Sequence, residues 1–367
     1  MLKKYNFRNY NYKLVICSII LAVIGVLLVG SAAPDLQKKQ MLGLLAGIFL
    51  MIFISLIDYN FVLNFYWIIY ICNIILLLMV RLLGESAGGA TRWVSIMGIR
   101  FQPSELAKLL IILFFAKFFM LYYENLNTIK MLFITAVLII IPLILIKIQP
   151  DLSTTIVAAL IFCVLIFGAG LSYKIIGGVL AVVVPAAIIF ITLLLKNGKM
   201  FLSDYQYKRI MAWLNPSEYA DAAYQQINSI TAIGSGQLYG KGLNNNVISS
   251  VKNGNFISEA QTDFIFAVAG EELGFLGCLL IIILLISIII LCLLTAKKAQ
   301  DLAGKLICCG VAAYIGFQGF INICVATGLM PNTGLPLPFI SYGLSSLFTV
   351  FMGIGFVLNV GLQPRKY

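Results

Sequence analysis

From Phe275 to Ala296 the chain reads FLGCLLIIILLISIIILCLLTA, 22 residues without one charge. A helix of that length rises about 33 Å at about 1.5 Å per residue, enough to cross roughly 30 Å of hydrocarbon. Comparable apolar runs recur, and the predicted spans are 14–31, 41–57, 61–80, 105–123, 130–148, 152–169, 173–195, 275–296, 304–328 and 339–362. Strands of a membrane barrel would be roughly 10 residues long and alternating, so helices are expected instead. The residues are 61% hydrophobic and 11% charged, more apolar surface than a soluble domain can hide. The expected fold class is all-α: one polytopic membrane domain over 1–367, with ten transmembrane helices and a large extracytoplasmic loop before the eighth.

The first span follows a basic start, MLKKYNFRNYNYK. Ser31-Ala32-Ala33 faintly resembles a signal-peptidase site. The run is long for a signal peptide and further spans follow, so the segment reads as retained. Ten spans put both termini on one side, which would hold twelve Lys and Arg against thirteen on the other. Six of those thirteen fall in the 67-residue segment 196–262, and long loops cross whatever their charge. With those six set aside, 1–13 and 363–367 are expected in the cytoplasm, and 81–104 and 196–262 outside. Loops this long are usually functional or disordered. The aromatics Tyr205, Tyr207, Trp213, Tyr219, Tyr224 and Tyr239 favour a second loop packed as short helices.

Histidine is absent, which removes Ser-His-Asp and Cys-His arrangements and His-based metal sites. All eight cysteines fall in predicted spans with no CxxC pair, as small apolar packing residues do. Any chemistry must rest on carboxylates, cations, tyrosines or hydroxyls. A net charge of +11 would suggest nucleic acid in a soluble protein. In a membrane protein it reflects topology and anionic lipids or substrates, so no nucleic-acid partner is expected.

Ionisable groups at the edges of spans are the functional candidates. In QPSELAKL, 102–109, Glu105 and Lys108 share a helix face. As a structural pair each lowers the other's desolvation cost; as a cavity floor, Lys108 faces an anionic ligand. In KIQPDLSTT, 147–155, Asp151 reads as a helix N-cap, and Lys147 on the same outer face is placed to meet a phosphate. In GGATRWVSIMGIR, 88–100, Arg92 and Trp93 read as an interfacial anchor with a snorkelling arginine, or as a holder of an anionic head group. In EAQTDFIFAVAGEELG, 259–274, Asp263 sits near the start of a short interfacial or re-entrant helix, as a cap or as a functional acid. Glu271 and Glu272 precede a bend at Leu273-Gly274 and read as structural or cavity-lining.

A single outer carboxylate beside several Lys and Arg, without histidine, suits one reaction class. Asp can act as general base toward a hydroxyl. Cations stabilise a departing diphosphate. An apolar groove between helices would hold a lipid tail. A lipid-diphosphate sugar donor calls for all three.

At these same residues the chain resembles the SEDS family (shape, elongation, division and sporulation), represented by RodA, FtsW and SpoVE. The resemblance runs through GGATRWVSIMGIRFQPSELAKL at 88–109, QPDLSTT at 149–155 and YQQINSITAIGSGQLYGKGL at 224–243. It continues in EAQTDFIFAVAGEELGFLG at 259–277 and TGLPLPFISYGLSS at 333–346. It implies an inverting peptidoglycan glycosyltransferase that polymerises lipid II at the outer face of the bacterial cytoplasmic membrane, in elongation or division. Asp263 falls on the family's catalytic Asp, which would take the proton from the acceptor's 4-hydroxyl. Glu105 and Lys108 fall on its cavity pair, Arg92 and Trp93 on its outer-loop Arg-Trp, and Asp151 on its Pro-Asp. Ser341 lies in its SYG motif and is expected at the substrate.

Arg92, Lys108 and Lys241 are the expected diphosphate contacts, and a divalent cation, Mg or Mn, would share that role with no ligand assignable from sequence. The implied partners are lipid II and growing glycan, membrane lipids, and a class B penicillin-binding protein that supplies transpeptidation. The short basic N-terminus and GLPLPF at 334–339 lean slightly toward the RodA type. Leu344 replaces the second glycine of the family's SYGGSS, and Gln261 stands where many members have His. Two other classes use the same features: a lipid II flippase or transporter, which makes no glycan, and a non-catalytic scaffold of the cell-wall machinery, which needs no Asp263.

Overall fold

The computed structural model describes residues 5, 7–87, 90–96, 99–179, 181, 185, 192, 204–244, 257 and 260–363. Most of the predicted seventh span, parts of 196–262 and the tails 1–4 and 364–367 lie outside the described residues. The helices are α1 (Tyr12–Ala32), α2 (Pro34–Leu56), the single turn α3 (Tyr59–Leu63), α4 (Tyr66–Leu83), α5 (Pro103–Leu121) and α6 (Ile129–Ile148). They continue as α7 (Leu152–Gly168), α8 (Asp204–Leu214), α9 (Ala220–Ser235), α10 (Ile265–Lys298), α11 (Leu302–Ala326) and α12 (Leu344–Leu362). Among the described residues seven helices, α1, α2, α4, α6, α10, α11 and α12, are long and apolar enough to cross a membrane. The shorter α7 is also apolar, and α5 carries Glu105, Lys108 and Lys117. Phe49 and Phe133 stand about 70% exposed on helix surfaces, where a lipid-facing wall accepts them and water would not. The protein is a predominantly helical, multi-pass membrane protein.

Small residues set the packing. α2 lies along α12, with Gly43 against Leu344, Gly47 against the Phe351 ring and Gly355 against the backbone of Met51. Glycines at such contacts let helix backbones approach closely where no hydrophobic force draws helices together. Leu344 therefore has a local partner: its side chain fills the space that a β-carbon on Gly43 would need.

Three differences from the sequence reading have physical causes. Segment 81–104 is not all loop but holds a small antiparallel sheet, β1 (Glu85–Ala87), β2 (Ala90–Ile96) and β3 (Ile99–Phe101), in that order. Thr91, Trp93, Val94 and Ile96 are residues that favour strands. The last helix begins at Leu344 rather than 339, because Phe339 stands at φ 67° and Gly343 at φ 160°, ψ 100°, neither of them helical, so 331–343 stays irregular. The helix before the bend packs inside the bundle rather than on its surface. Ile265 to Glu272 are all buried, and α10 runs on to Lys298 past a kink at Gly274 (φ 66°, ψ −165°).

That kink interrupts the backbone ladder, and another segment repairs it. Phe275 N donates to Gln237 O at 2.8 Å and Leu276 N to Leu238 O at 3.2 Å. Lys241 N donates to Glu271 O at 2.9 Å and Gly242 N to Glu272 O at 3.0 Å. The turn after α9 thus satisfies groups that the broken helix cannot. Gly240 and Gly274, both at positive φ, allow this approach.

Candidate active site

Alternation of the helices brings the ends of α1, α4, α6 and α11 together with the starts of α2, α5, α7, α10 and α12. All the candidate residues lie at this end of the bundle. Asp263 sits in the turn 260–264 that leads into α10, partly exposed. Facing it is Gly334, in the irregular segment before α12, at φ 74°. The point that a β-carbon on Gly334 would occupy lies 3.4 Å from Asp263 Oδ2, 3.6 Å from Arg209 Nη1 and 3.8 Å from Arg92 Nη1. One carboxylate and two guanidinium groups therefore open onto a single corner that a larger side chain would fill.

Each arginine is held from behind. Arg92, on β2, donates through Nη2 to Pro150 O and places Nη1 3.8 Å from Asp151 Oδ1. Arg209, on α8, donates to Asn332 O at 3.3 Å. Asp151 is the N-cap of α7, accepting from Thr154 N at 3.2 Å. Its other oxygen accepts from Gln102 Nε2 at 3.3 Å and Ser104 Oγ at 3.5 Å. The cap and the support of Arg92 are thus one side chain in two roles.

Glu105 and Lys108 form a buried pair, 2.6 Å apart, with Lys108 0% and Glu105 1% exposed. Tyr314 donates to Glu105 Oε2 at 3.1 Å, and Lys108 Nζ lies 4.6 Å above the Tyr314 ring. Lys108 also donates to Gln318 Oε1, and Gln318 Nε2 donates to Pro336 O at 3.0 Å. The pair is thereby sealed within the bundle and tied to the segment bearing Gly334. No part of Lys108 is exposed in this structure.

Ser341 is 4% exposed; its hydroxyl donates to Thr262 O at 2.6 Å and accepts from Leu337 N at 2.7 Å. It holds the Asp263 turn in place. Lys241 pairs with the buried Glu271 at 2.9 Å, beside the kink. Trp93 alternates with Arg92 along β2, so the two point to opposite faces. Lys147 is exposed on the last turn of α6. The structure thus brings Asp263, Arg92 and Asp151 together and adds Arg209, while Lys241 is engaged with Glu271 and Lys147 stands exposed at the end of α6. Arg209 escaped the sequence reading because it was one cation among six in a long segment. Only folding sets it opposite Asp263.

A divalent cation fits this corner poorly, since two guanidinium groups share it with the carboxylate and favour an anion. Among the described residues no three His, Cys, Asp or Glu side chains cluster as a metal cage. A cavity of about 600 Å³ opens at the opposite end of the bundle, beside Tyr123, Lys297 and Lys305, remote from this chemistry.

The family model for a cell cycle protein, FtsW/RodA/SpoVE, matches residues 8–366. The peptidoglycan glycosyltransferase MrdB of Escherichia coli K12 is 39% identical over 297 residues, covering 80% of this chain and 76% of that protein. A chain from a peptidoglycan synthase complex, solved to show how polymerization and crosslinking are coordinated, superposes with a TM-score of 0.80 at 28% identity, covering 96% of this chain and 97% of that one. The rod shape determining protein RodA of Thermus thermophilus superposes with a TM-score of 0.70 at 26% identity, covering 98% of each chain.

Proposed function

The chain belongs to the FtsW/RodA/SpoVE family of cell cycle proteins, and on that premise we propose that it is a peptidoglycan glycosyltransferase that extends glycan from lipid II with Asp263 as general base. The observation that carries the reading is the corner at Gly334, where a carboxylate and two arginines converge. Asp263 takes the proton from the 4-hydroxyl of the acceptor N-acetylglucosamine. That oxygen attacks the anomeric carbon of the donor's N-acetylmuramic acid, and the bond to the diphosphate breaks. Undecaprenyl diphosphate leaves with the electron pair, and the configuration inverts with no covalent enzyme intermediate. Arg92 and Arg209 hold the diphosphate and stabilise the charge that grows on it, as fixed cations do at low dielectric. No step is assigned to a metal ion.

The topology follows the same reading. Ten spans cross the bacterial cytoplasmic membrane, with both termini inside and the corner at the outer face. Segment 196–262, with α8 and α9, lies over it and supplies Arg209. The partner is a class B penicillin-binding protein, which crosslinks the strands made here; the solved synthase complex that this chain resembles supports such a pairing.

Polymerisation in detergent tests the function. Purified protein with its penicillin-binding partner, given lipid II where no leaflets exist, is expected to yield glycan strands. A flippase or a scaffold yields none under those conditions.

A further inference from the structure

The turn that presents Asp263 and the segment that presents Gly334 are separated in sequence by the whole of α10 and α11. A side chain of α11 joins them. Asn322 Nδ2 donates to Asp263 O at 2.8 Å and to Leu335 O at 2.7 Å. Asn322 is 1% exposed, and an amide nitrogen has two hydrogens, so each serves one of the two segments. The amide is a spacer of fixed length between them. Its bonds reach backbone carbonyls, so it acts on where the carboxylate stands.

The sequence spacing explains how Asn322 gets there. Tyr314, Gln318 and Asn322 are four residues apart and lie along one face of α11. Tyr314 holds Glu105, Gln318 joins Lys108 to Pro336 O, and Asn322 joins Leu335 O to Asp263 O. A polar stripe thus climbs from the buried ion pair to the reacting corner inside an otherwise apolar helix. Both Nδ2 hydrogens are used, while Asn322 Oδ1 is buried with no partner among the described residues, a cost that the two bonds to the Asp263 and Leu335 carbonyls offset.

We propose that Asn322 is a positioning residue for glycosyl transfer, fixing the Asp263 carboxylate against the Gly334 corner, with Gln318 and the Glu105–Lys108 pair as its footing. The proposal rests on the reading of Asp263 as base. A misplacement of about 1 Å can lower a rate about a hundredfold, so a spacer of this kind has leverage without touching substrate. A purely structural asparagine would affect stability and leave the rate per folded molecule unchanged.

The test uses the full chain with its penicillin-binding partner in detergent, with lipid II as substrate and rates expressed per folded molecule. Asn322→Leu keeps the approximate volume and removes both donors. Its kcat is expected to fall at least tenfold while KM for lipid II stays within threefold. Should this variant not fold, Asn322→Ser, which keeps one donor, is read the same way, with kcat at least threefold below wild type. A kcat within twofold of wild type in the folded variant overturns the proposal, as does a change confined to KM. Asp263→Asn, run alongside, separates the two readings. If it retains wild-type rate, the base assignment fails; if it is inactive while the Asn322 variant keeps full rate, only the positioning role fails.

Discussion

Arg209 Nη1 and Asp263 Oδ2 face one point above Gly334, at 3.6 Å and 3.4 Å from it. A base and a cation so placed can act on two ends of one reaction, taking a proton from the acceptor and steadying the diphosphate that departs from the donor. Arg209 reaches this point from α8, in the segment whose charges were set aside in the topology count.

Arg209→Lys keeps the charge and loses the planar fork that pairs with phosphate oxygens. Its kcat/KM for lipid II is expected about tenfold below wild type, equivalent to about 1.4 kcal/mol of transition-state stabilisation. Arg209→Gln is expected to fall further. Initial rates across a range of lipid II concentrations check both.

Gly334→Ala places a β-carbon at the shared point and forces a non-glycine residue to φ 74°. The strain alone is about 1–2 kcal/mol, but polymerisation is expected to fall more than tenfold because the corner is filled. Gly242→Ala is the control: its φ is 90°, and among the described residues nothing stands within 4 Å of its β-carbon. It should show comparable strain by thermal unfolding and near-normal turnover.

Lys108→Met leaves Glu105 buried without its cation and is expected to destabilise by about 3–5 kcal/mol. Adding Glu105→Gln removes the stranded charge, so the double variant should unfold at a higher temperature than Lys108→Met alone. Thermal unfolding in detergent reads this directly. Equal or lower stability of the double variant would mean that the pair is not a closed unit.

The membrane helices were legible because lipid imposes a simple rule, long runs without charge. The Glu105–Lys108 pair was legible for a related reason: charges in apolar helices must find each other. Its burial was not, since whether a cation faces a cavity or a tyrosine ring depends on α11. The strands in 85–101 escaped because they are short beside the helices. The start of α12 escaped because Phe339 and Ile340 prolong the apolar run, while the positive φ at Phe339 that breaks the helix cannot be read from an ordinary apolar residue. Arg209 and Asn322 escaped for the deepest reason. Each is an ordinary residue locally, and its role exists only across segments that folding brings together.

Leu344, the departure from SYGGSS, has its counterpart at Gly43. Gly43→Leu is expected to overpack the contact between α2 and α12 and destabilise by about 1–3 kcal/mol. Pairing it with Leu344→Gly should recover stability, since the space is then exchanged between the helices. Thermal unfolding of the two single variants and the double variant measures the recovery.

The most direct measurement of the central claim is the rate at which purified Asp263→Asn, with its penicillin-binding partner in detergent, polymerises lipid II. The side chain keeps its size and loses its basicity, so the account predicts a folded, partner-binding protein that makes no detectable glycan. Glycan made at the wild-type rate would contradict it.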